Sequence, residues 1–374
     1  MFTILQKLIS MESISPSDGG SLTYLSNLLT KSGFTCYLKE FGDNDQKTTN
    51  LYAEKGGKGK NLCFAGHVDV VPPGNINSWS YNPFEMTELK GKVYGRGVVD
   101  MKGAVSAMVH AIIDYSDQYN GVVSLLLTSD EEASGKFGTK EMLKWIKNEG
   151  IKIDFAIVGE PTSNKIMGDI IKIGRRGSLN CFLRIKGKQG HVAYPALAIN
   201  PNNILIKILH ELNLWQIDEG NEYFQPSNLE VISIDVDNDI MNIIPESACA
   251  KFNIRFNNIQ TQEKLSSRLH NICAKYSTDY ILDTNVSAEV FFIKKTEFIK
   301  TFQNLVSSIC EVETKFSTSG GTSDARFLKD ICPLLEFGLL NKTAHQVDEY
   351  CEITDLQKLY TVYYSAIKSY HEKD

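Results

Sequence analysis

The run Leu62-Cys63-Phe64-Ala65-Gly66 delivers His67-Val68-Asp69, an apolar stretch that stops abruptly at an imidazole and a carboxylate. A short apolar run with such an ending reads as a strand buried on both faces. The pattern recurs where Val122-Val123-Ser124-Leu125-Leu126-Leu127 leads to Asp130-Glu131-Glu132, and where Phe155-Ala156-Ile157-Val158-Gly159 leads to Glu160-Pro161. Amphipathic helical patterns separate these runs. The first part of the chain therefore reads as α/β, with a mainly parallel sheet flanked by helices. Ligands of open α/β sheets bind at the carboxyl ends of the strands, so three separate segments aim His, Asp and Glu at one crevice.

From about Gly177 the pattern changes to an alternating strand (179–185), a helix (201–214), two strands (229–235 and 248–256), a helix (262–276) and a strand (288–292). That order, β-α-β-β-α-β, is the ferredoxin-like or split βαβ arrangement. Such a unit is self-contained, so it is expected to interrupt a larger catalytic domain. The expected boundaries are 1–176 for the first part of the catalytic domain, 177–290 for the insert and 291–374 for the second part.

The composition bounds the class. A chain of 374 residues with 42% hydrophobic and 22% charged side chains has ample material for a packed core, which excludes disordered, collagen-like and disulfide-scaffold architectures. A net charge of −6 argues against nucleic acid or an anionic membrane as the main partner. The eight cysteines are widely spaced, the closest pair being Cys332 and Cys351, so a disulfide framework is not expected and a reducing cytoplasm fits. Phe2, Leu5, Leu8 and Ile9 share one helical face interrupted by Gln6 and Lys7, without the apolar stretch of a secretory signal, and no run approaches ~18 apolar residues. The expectation is a chain neither exported nor membrane-spanning. Two glycine motifs are decoys: Gly95-x-Gly97-x-x-Asp100 lacks the third glycine of a dinucleotide fingerprint, and Gly56-Gly57-Lys58-Gly59-Lys60 lacks P-loop spacing and reads as a hairpin turn.

The chemistry is carried by His67, Asp69, Asp100, Glu131, Glu132 and Glu160. Carboxylates converging on one crevice raise the proton affinity of one another and of the imidazoles among them unless cations neutralise them. A metal pair removes that cost, because zinc takes imidazole nitrogen and carboxylate oxygen, and two metals together polarise a substrate oxygen and generate hydroxide. Residues i and i+2 of an extended segment face one side, so Asp69 can hydrogen-bond the His67 ring. Adjacent Glu131 and Glu132 point different ways, so one can bind metal while the other serves as general base. His191, in the loop Gly190-His191-Val192-Ala193-Tyr194-Pro195, and His345, in Asn341-Lys342-Thr343-Ala344-His345-Gln346, stand apart from the other histidines, and His345 could complete the ligand set.

Taken together and in order, Gly66-His67-Val68-Asp69-Val70-Val71-Pro72, Gly95-Arg96-Gly97 leading to Asp100-Met101-Lys102-Gly103, Asp130-Glu131-Glu132, Gly159-Glu160-Pro161, the His191 loop and the late His345 resemble the dinuclear zinc aminoacylase and carboxypeptidase family over essentially the whole chain. One departure is Ala133, where many relatives have Gly. Within the family, Gly174-Arg175-Arg176-Gly177-Ser178, Asn242-Ile243-Ile244-Pro245 and Ser319-Gly320-Gly321-Thr322-Ser323-Asp324-Ala325-Arg326-Phe327 resemble a branch that deacylates N-acylated diamino dicarboxylates.

The resemblance implies two Zn2+ per subunit, with Co2+ able to substitute: His67 and Glu160 on one ion, Glu132 and His345 on the other, Asp100 bridging both and followed by a cis peptide to Met101. It implies Asp69 orienting His67, Glu131 as general base, and a homodimer formed through the inserted domain, which also acts as a lid and from which the partner's His191 stabilises the oxyanion. Substrate contacts would fall to Arg175, Ser178, Tyr194, Asn242, Arg255, Gly321, Thr322 and Asn341. Arg175 and Arg255 suit carboxylates, since a guanidinium offers a planar fork. The alternatives are a sibling such as an acetylornithine deacetylase, aminoacylase or zinc dipeptidase, a catalytically dead binding protein on the same fold, and a nucleotide-dependent α/β enzyme, the last weakened by the missing phosphate loop.

Overall fold

A computed structural model describes residues 1–115 and 120–372. They form two compact units. The first comprises Met1–Ile173, Ile293–Ser317 and the chain from Ser323 onward; the second comprises Gly174–Phe292 and Thr318–Thr322.

The first unit is built on an eight-stranded sheet in the order Thr35–Gly42, Lys47–Gly56, Val122–Thr128, Asn61–His67, Phe155–Val158, Leu334–Glu336, Ile170–Lys172, Lys315–Ser317. The four central strands are mutually parallel, whereas Thr35–Gly42, Lys47–Gly56 and Val122–Thr128 pair antiparallel, so the sheet is mixed around a parallel centre. Every residue of Asn61–His67 is buried, as expected of a strand covered on both faces. Gly103–Asp114 is apolar almost all round and correspondingly buried, and it packs against the long helix Ile353–His371. Phe64 meets Tyr363 edge-on, with ring centroids 5.3 Å apart, and the Tyr363 hydroxyl donates to the Phe337 carbonyl at 2.7 Å. Complete burial of a side chain such as Phe64 contributes roughly 1.5–3 kcal/mol.

Parallel pairing aligns the carboxyl ends of these strands. His67 lies opposite Thr128 and Ala65 opposite Val158, so the residues after each strand emerge on the same edge. Gly66 and Gly159 are required there, because a Cβ at either would come within 2.2 or 2.6 Å of the Met101 methyl. Side-chain-free backbone at both positions admits Met101, and with it the segment carrying Asp100.

One expectation fails in this unit. Residues 56–60 do not turn a hairpin, because Val122–Thr128 lies between the strands they join: Val122 pairs with both Gly56 and Asn61. A glycine-rich turn between two strands is a local signal, and it carries no information about a third strand inserting between them.

In the second unit a four-stranded antiparallel sheet runs in the order Asn228–Asp235, Ser247–Phe256, Gly177–Lys186, Tyr280–Ala288, with helices Pro201–Leu214 and Gln262–Ala274 between its strands in sequence. Leu205, Ile208 and Leu212 of the first helix and Leu265, Leu269 and Ile272 of the second join the strands in one core, the helical spacing of a single apolar stripe. The first helix begins sharply, since Asn200 accepts from the Asn202 N–H and Pro201 occupies the first turn. The last strand is Tyr280–Ala288 rather than 288–292. Its exposure alternates residue by residue, and this period-2 pattern of Tyr280, Leu282, Val286 and Ala288 outweighs the local apolarity of Phe291–Phe292, which pairs only briefly with Gly174–Arg175. The second unit spans Gly174–Phe292 with Thr318–Thr322, beside the 177–290 read from the sequence.

All eight cysteines are free thiols. Among the described residues no helix is long and apolar enough to cross a membrane.

Candidate metal centre

Every chemistry-bearing residue expected from the first unit's strand ends converges in that unit. His67 Nε2 lies 3.2 Å from Asp100 Oδ1 and 3.9 Å from Glu160 Oε1. His345 Nε2 lies 3.2 Å from Asp100 Oδ2 and 2.9 Å from Glu132 Oε1. Two ligand-capable triads result, His67/Asp100/Glu160 and Asp100/Glu132/His345, and Asp100 belongs to both, one oxygen to each. The Asp100–Met101 peptide is cis, as the resemblance implies.

Asp69 engages His67 differently from the spacing argument. The ring Nδ1 is 2.9 Å from the Asp69 main-chain oxygen and 3.6 Å from its carboxylate. A carbonyl only accepts, so Nδ1 carries a hydrogen, and Nε2, facing Asp100 and Glu160, is the nitrogen that an incoming cation would take in exchange for its proton. The wholly buried Asp69 carboxylate instead accepts from the Glu131 and Glu132 N–H groups at 3.4 and 3.0 Å. One residue thus orients the histidine and tethers the turn that presents both glutamates.

Proton affinities follow from this crowding. Burial lowers His67, but its hydrogen bond to Asp100 and the charges of Asp69 and Glu131 outweigh that and hold it well above the usual histidine value. Hydrogen bonds to Asp100 and Glu132 lift His345 to about 10. Burial raises Asp100, yet its bonds to His345 and His67 prevail and hold it below the usual range. Glu131 belongs to neither triad; burial first, then the Glu160 charge, pushes it well above the ordinary carboxylate value. The donor set fits cations. The two triads set three carboxylates, Asp100, Glu132 and Glu160, beside two imidazoles, the oxygen and nitrogen donors that divalent ions such as zinc accept.

The other expected residues, Asn341 apart, lie in the second unit. His191 is exposed, in a short ribbon where Gly190–His191 pairs with Ile243–Ile244, and its Nδ1 accepts from the Ala193 N–H at 3.0 Å. Tyr194 is exposed with its ring centroid 5.6 Å from that of His191, and the Asn242 carbonyl accepts from Val192 N–H. Arg175 is buried and donates to the Gly321 carbonyl at 3.0 Å, next to Thr322. Ser178 Oγ lies 3.0 Å from Asn253 Nδ2 and 2.9 Å from Ser287 Oγ. Arg255 stands opposite Ser178 in the sheet register. Asn341, in the first unit, is exposed and its N–H donates to the Ser163 carbonyl.

Among the buried charged residues of the first unit to which the sequence reading gave no role are Glu349, Lys102 and Asp324. Glu349 accepts from Arg96 and from the backbone of the Asp100 segment. Lys102 donates from a buried Nζ to the Leu8 and Met11 carbonyls at 2.9 Å. Asp324 is buried and raised to about 6 by that burial. The His345-x-x-x-Glu349 spacing and the arginine between two glycines at 95–97 were the available signals, but partners 253 positions apart are not a local pattern.

Comparison with known proteins places these residues in context. The family model described as peptidase family M20/M25/M40 matches residues 63–369. A succinyl-diaminopimelate desuccinylase of Orientia tsutsugamushi (strain Boryong) is 53% identical over 367 residues, 97% of this chain and 94% of the relative; one of Rickettsia bellii (strain RML369-C) is 52% identical over 371 residues, 97% and 95%. Among solved structures, a metallo-carboxypeptidase from Sulfolobus solfataricus superposes with a TM-score of 0.78 at 20% identity, covering 99% of each chain. A Staphylococcus aureus tripeptidase gives 0.79 at 16% identity, covering 100% and 98%. At these identities the solved structures speak for the fold alone.

Proposed function

The chain belongs to peptidase family M20/M25/M40, and on that premise we propose that it is a two-zinc amide hydrolase that converts N-succinyl-LL-2,6-diaminopimelate and water to succinate and LL-2,6-diaminopimelate, a step towards lysine and cell-wall precursors. The observation that carries the substrate assignment is the likeness to desuccinylases at 52–53% identity across nearly the full length of both chains. A biosynthetic role of this kind fits the cytoplasm. We read the second unit, with its β-α-β-β-α-β order, as a ferredoxin-like dimerisation and lid domain.

His67 and Glu160 would hold one ion, Glu132 and His345 the other, and Asp100 both; bound there, the pair would polarise the amide carbonyl and acidify water, with Co2+ able to replace Zn2+. Glu131 takes a proton from the attacking water as its oxygen bonds to the acyl carbon, and delivers that proton to the diaminopimelate nitrogen as the C–N bond breaks. Asp69 keeps the glutamate turn and the His67 ring in place. Arg175 and Arg255 are the guanidinium partners proposed for the substrate's carboxylates, with Ser178, Tyr194, Asn242, Gly321, Thr322 and Asn341 completing the contacts.

The test is a side-by-side comparison of substrates. Zinc-loaded protein given N-succinyl-diaminopimelate, N-acetylornithine and a dipeptide in parallel should turn over the first fastest; faster turnover of either of the others overturns the assignment.

The same reading makes the protein a homodimer, in which the partner's His191 donates to the tetrahedral oxyanion. In support, Asn228–Asp235 is an edge strand, with Ile232 68% and Ile234 59% exposed, the kind of edge that pairs across a two-fold axis. His191→Ala and Glu131→Ala chains, each inactive alone, should regain activity when unfolded together and refolded. Random pairing makes about half the dimers mixed, each with one site holding both intact residues, so about a quarter of all sites should work. No recovery, with mixed dimers verified by mass spectrometry, would rule out the shared site.

A further inference from the structure

Glu349 is fully buried, and both of its carboxylate oxygens are occupied by a single segment of chain. Oε1 accepts from the Val99 N–H at 2.8 Å and the Asp100 N–H at 3.2 Å. Oε2 accepts from the Gly97 N–H at 2.9 Å and from Arg96 Nη1 at 2.7 Å. Three main-chain N–H groups between positions 97 and 100 thus curl around one anion, the concave arrangement in which successive N–H groups bind negative charge. Gly97 makes the curl possible with a φ of +80°, and a Cβ there would lie 2.4 Å from a Val70 methyl.

The same clamp reaches the second ligand-bearing segment. Arg96 Nη1 also donates to the Gln346 carbonyl at 3.2 Å, and the Gly95 N–H donates to the Glu349 carbonyl at 3.0 Å. His345 sits beside these contacts with a left-handed φ of +62°, a conformation that a non-glycine residue keeps only when its surroundings enforce it. Asp100 and His345 are 3.2 Å apart at their ligand atoms, and their segments are fastened together through Arg96 and Glu349.

We propose that Glu349, assisted by Arg96, is a positioning residue of the metal centre: its carboxylate fixes the backbone that carries Asp100, and so sets where both Asp100 oxygens point. This rests on reading the two triads as a two-metal site. Because Asp100 supplies one oxygen to each triad, displacing it must weaken both ions together. Glutamine at 349 keeps the size but turns one oxygen into an NH2 donor, aimed at N–H groups that also donate.

The test is calorimetric titration of metal-stripped protein with Co2+, accompanied by the visible absorption of the bound ion, which reports coordination. Wild type should bind two ions. Glu349→Gln should bind both about 10- to 100-fold more weakly, with an altered spectrum, and Glu349→Asp, shorter but still anionic, should fall between. A Glu349→Gln chain that melts at lower temperature yet binds both ions with wild-type affinity and spectrum overturns the proposal, because the clamp then supports the fold alone. Selective weakening of one ion overturns it too, since Asp100 serves both. Should Glu349→Gln not fold, Glu349→Asp decides by the same criteria. A wild-type chain that binds no pair of ions overturns the two-metal reading itself, and the proposal with it.

Discussion

Replacing Glu131 with glutamine is expected to lower kcat by at least about 10²-fold while leaving both ions bound. Glu131 shares the electrostatic surroundings of the triads but belongs to neither, so its removal as a base costs proton transfer and not ligation. Glutamine is nearly isosteric and cannot take a proton from water. Glu132→Gln, one position on, alters a ligand-capable oxygen 2.9 Å from His345 and should lose metal. Elemental analysis of the two purified variants beside their kcat values checks both roles. Equal metal loss in the two, or near-wild-type turnover by Glu131→Gln, means that the roles are wrongly assigned.

Removing the metal is expected to reduce hydrolysis to background, and zinc or cobalt should restore it. Undialysed active enzyme should contain two ions per chain; fewer than one would contradict the reading. Binding should also release protons, and the sign follows from the metal-free geometry. His345 keeps its proton up to about 10, through its bonds to Asp100 and Glu132, and His67 is likewise raised. An incoming cation must displace these protons, so below those values affinity should rise with increasing pH and weaken progressively on acidification. Titrations in buffers of different ionisation enthalpy measure the protons released. A pH-independent affinity between about 6 and 8 would speak against the two histidines as ligands.

How much of this was legible beforehand differs from element to element. The strands ending at His67, ahead of Asp130 and ahead of Glu160 were legible because burial on both faces demands an uninterrupted apolar run, and a polar ending marks its edge. The helix read from the sequence over 201–214 has those bounds in the structure, because its apolar residues at helical spacing form one buried stripe. His67, Glu132 and Glu160 could be gathered from strand ends, whereas Asp100 and His345 lie in segments beyond them. Their grouping into the two triads was expected from resemblance alone, because spacing along a chain does not say which carboxylate meets which imidazole.

By itself, the sequence determined that this is an α/β chain with an inserted β-α-β-β-α-β unit and with histidine and carboxylates at the carboxyl ends of its strands, since periodicity and burial are written locally. Only the tertiary structure decided that Val122–Thr128 lies between the two strands joined at residues 56–60, that Asp69 holds His67 through a main-chain oxygen, and that Glu349 reaches back to Arg96 and the Asp100 backbone. The physical reason is common to all three. Strand neighbours and buried hydrogen-bond partners are selected by which donors and acceptors are left to satisfy once the core has closed, and those groups come from parts of the chain that share no local pattern.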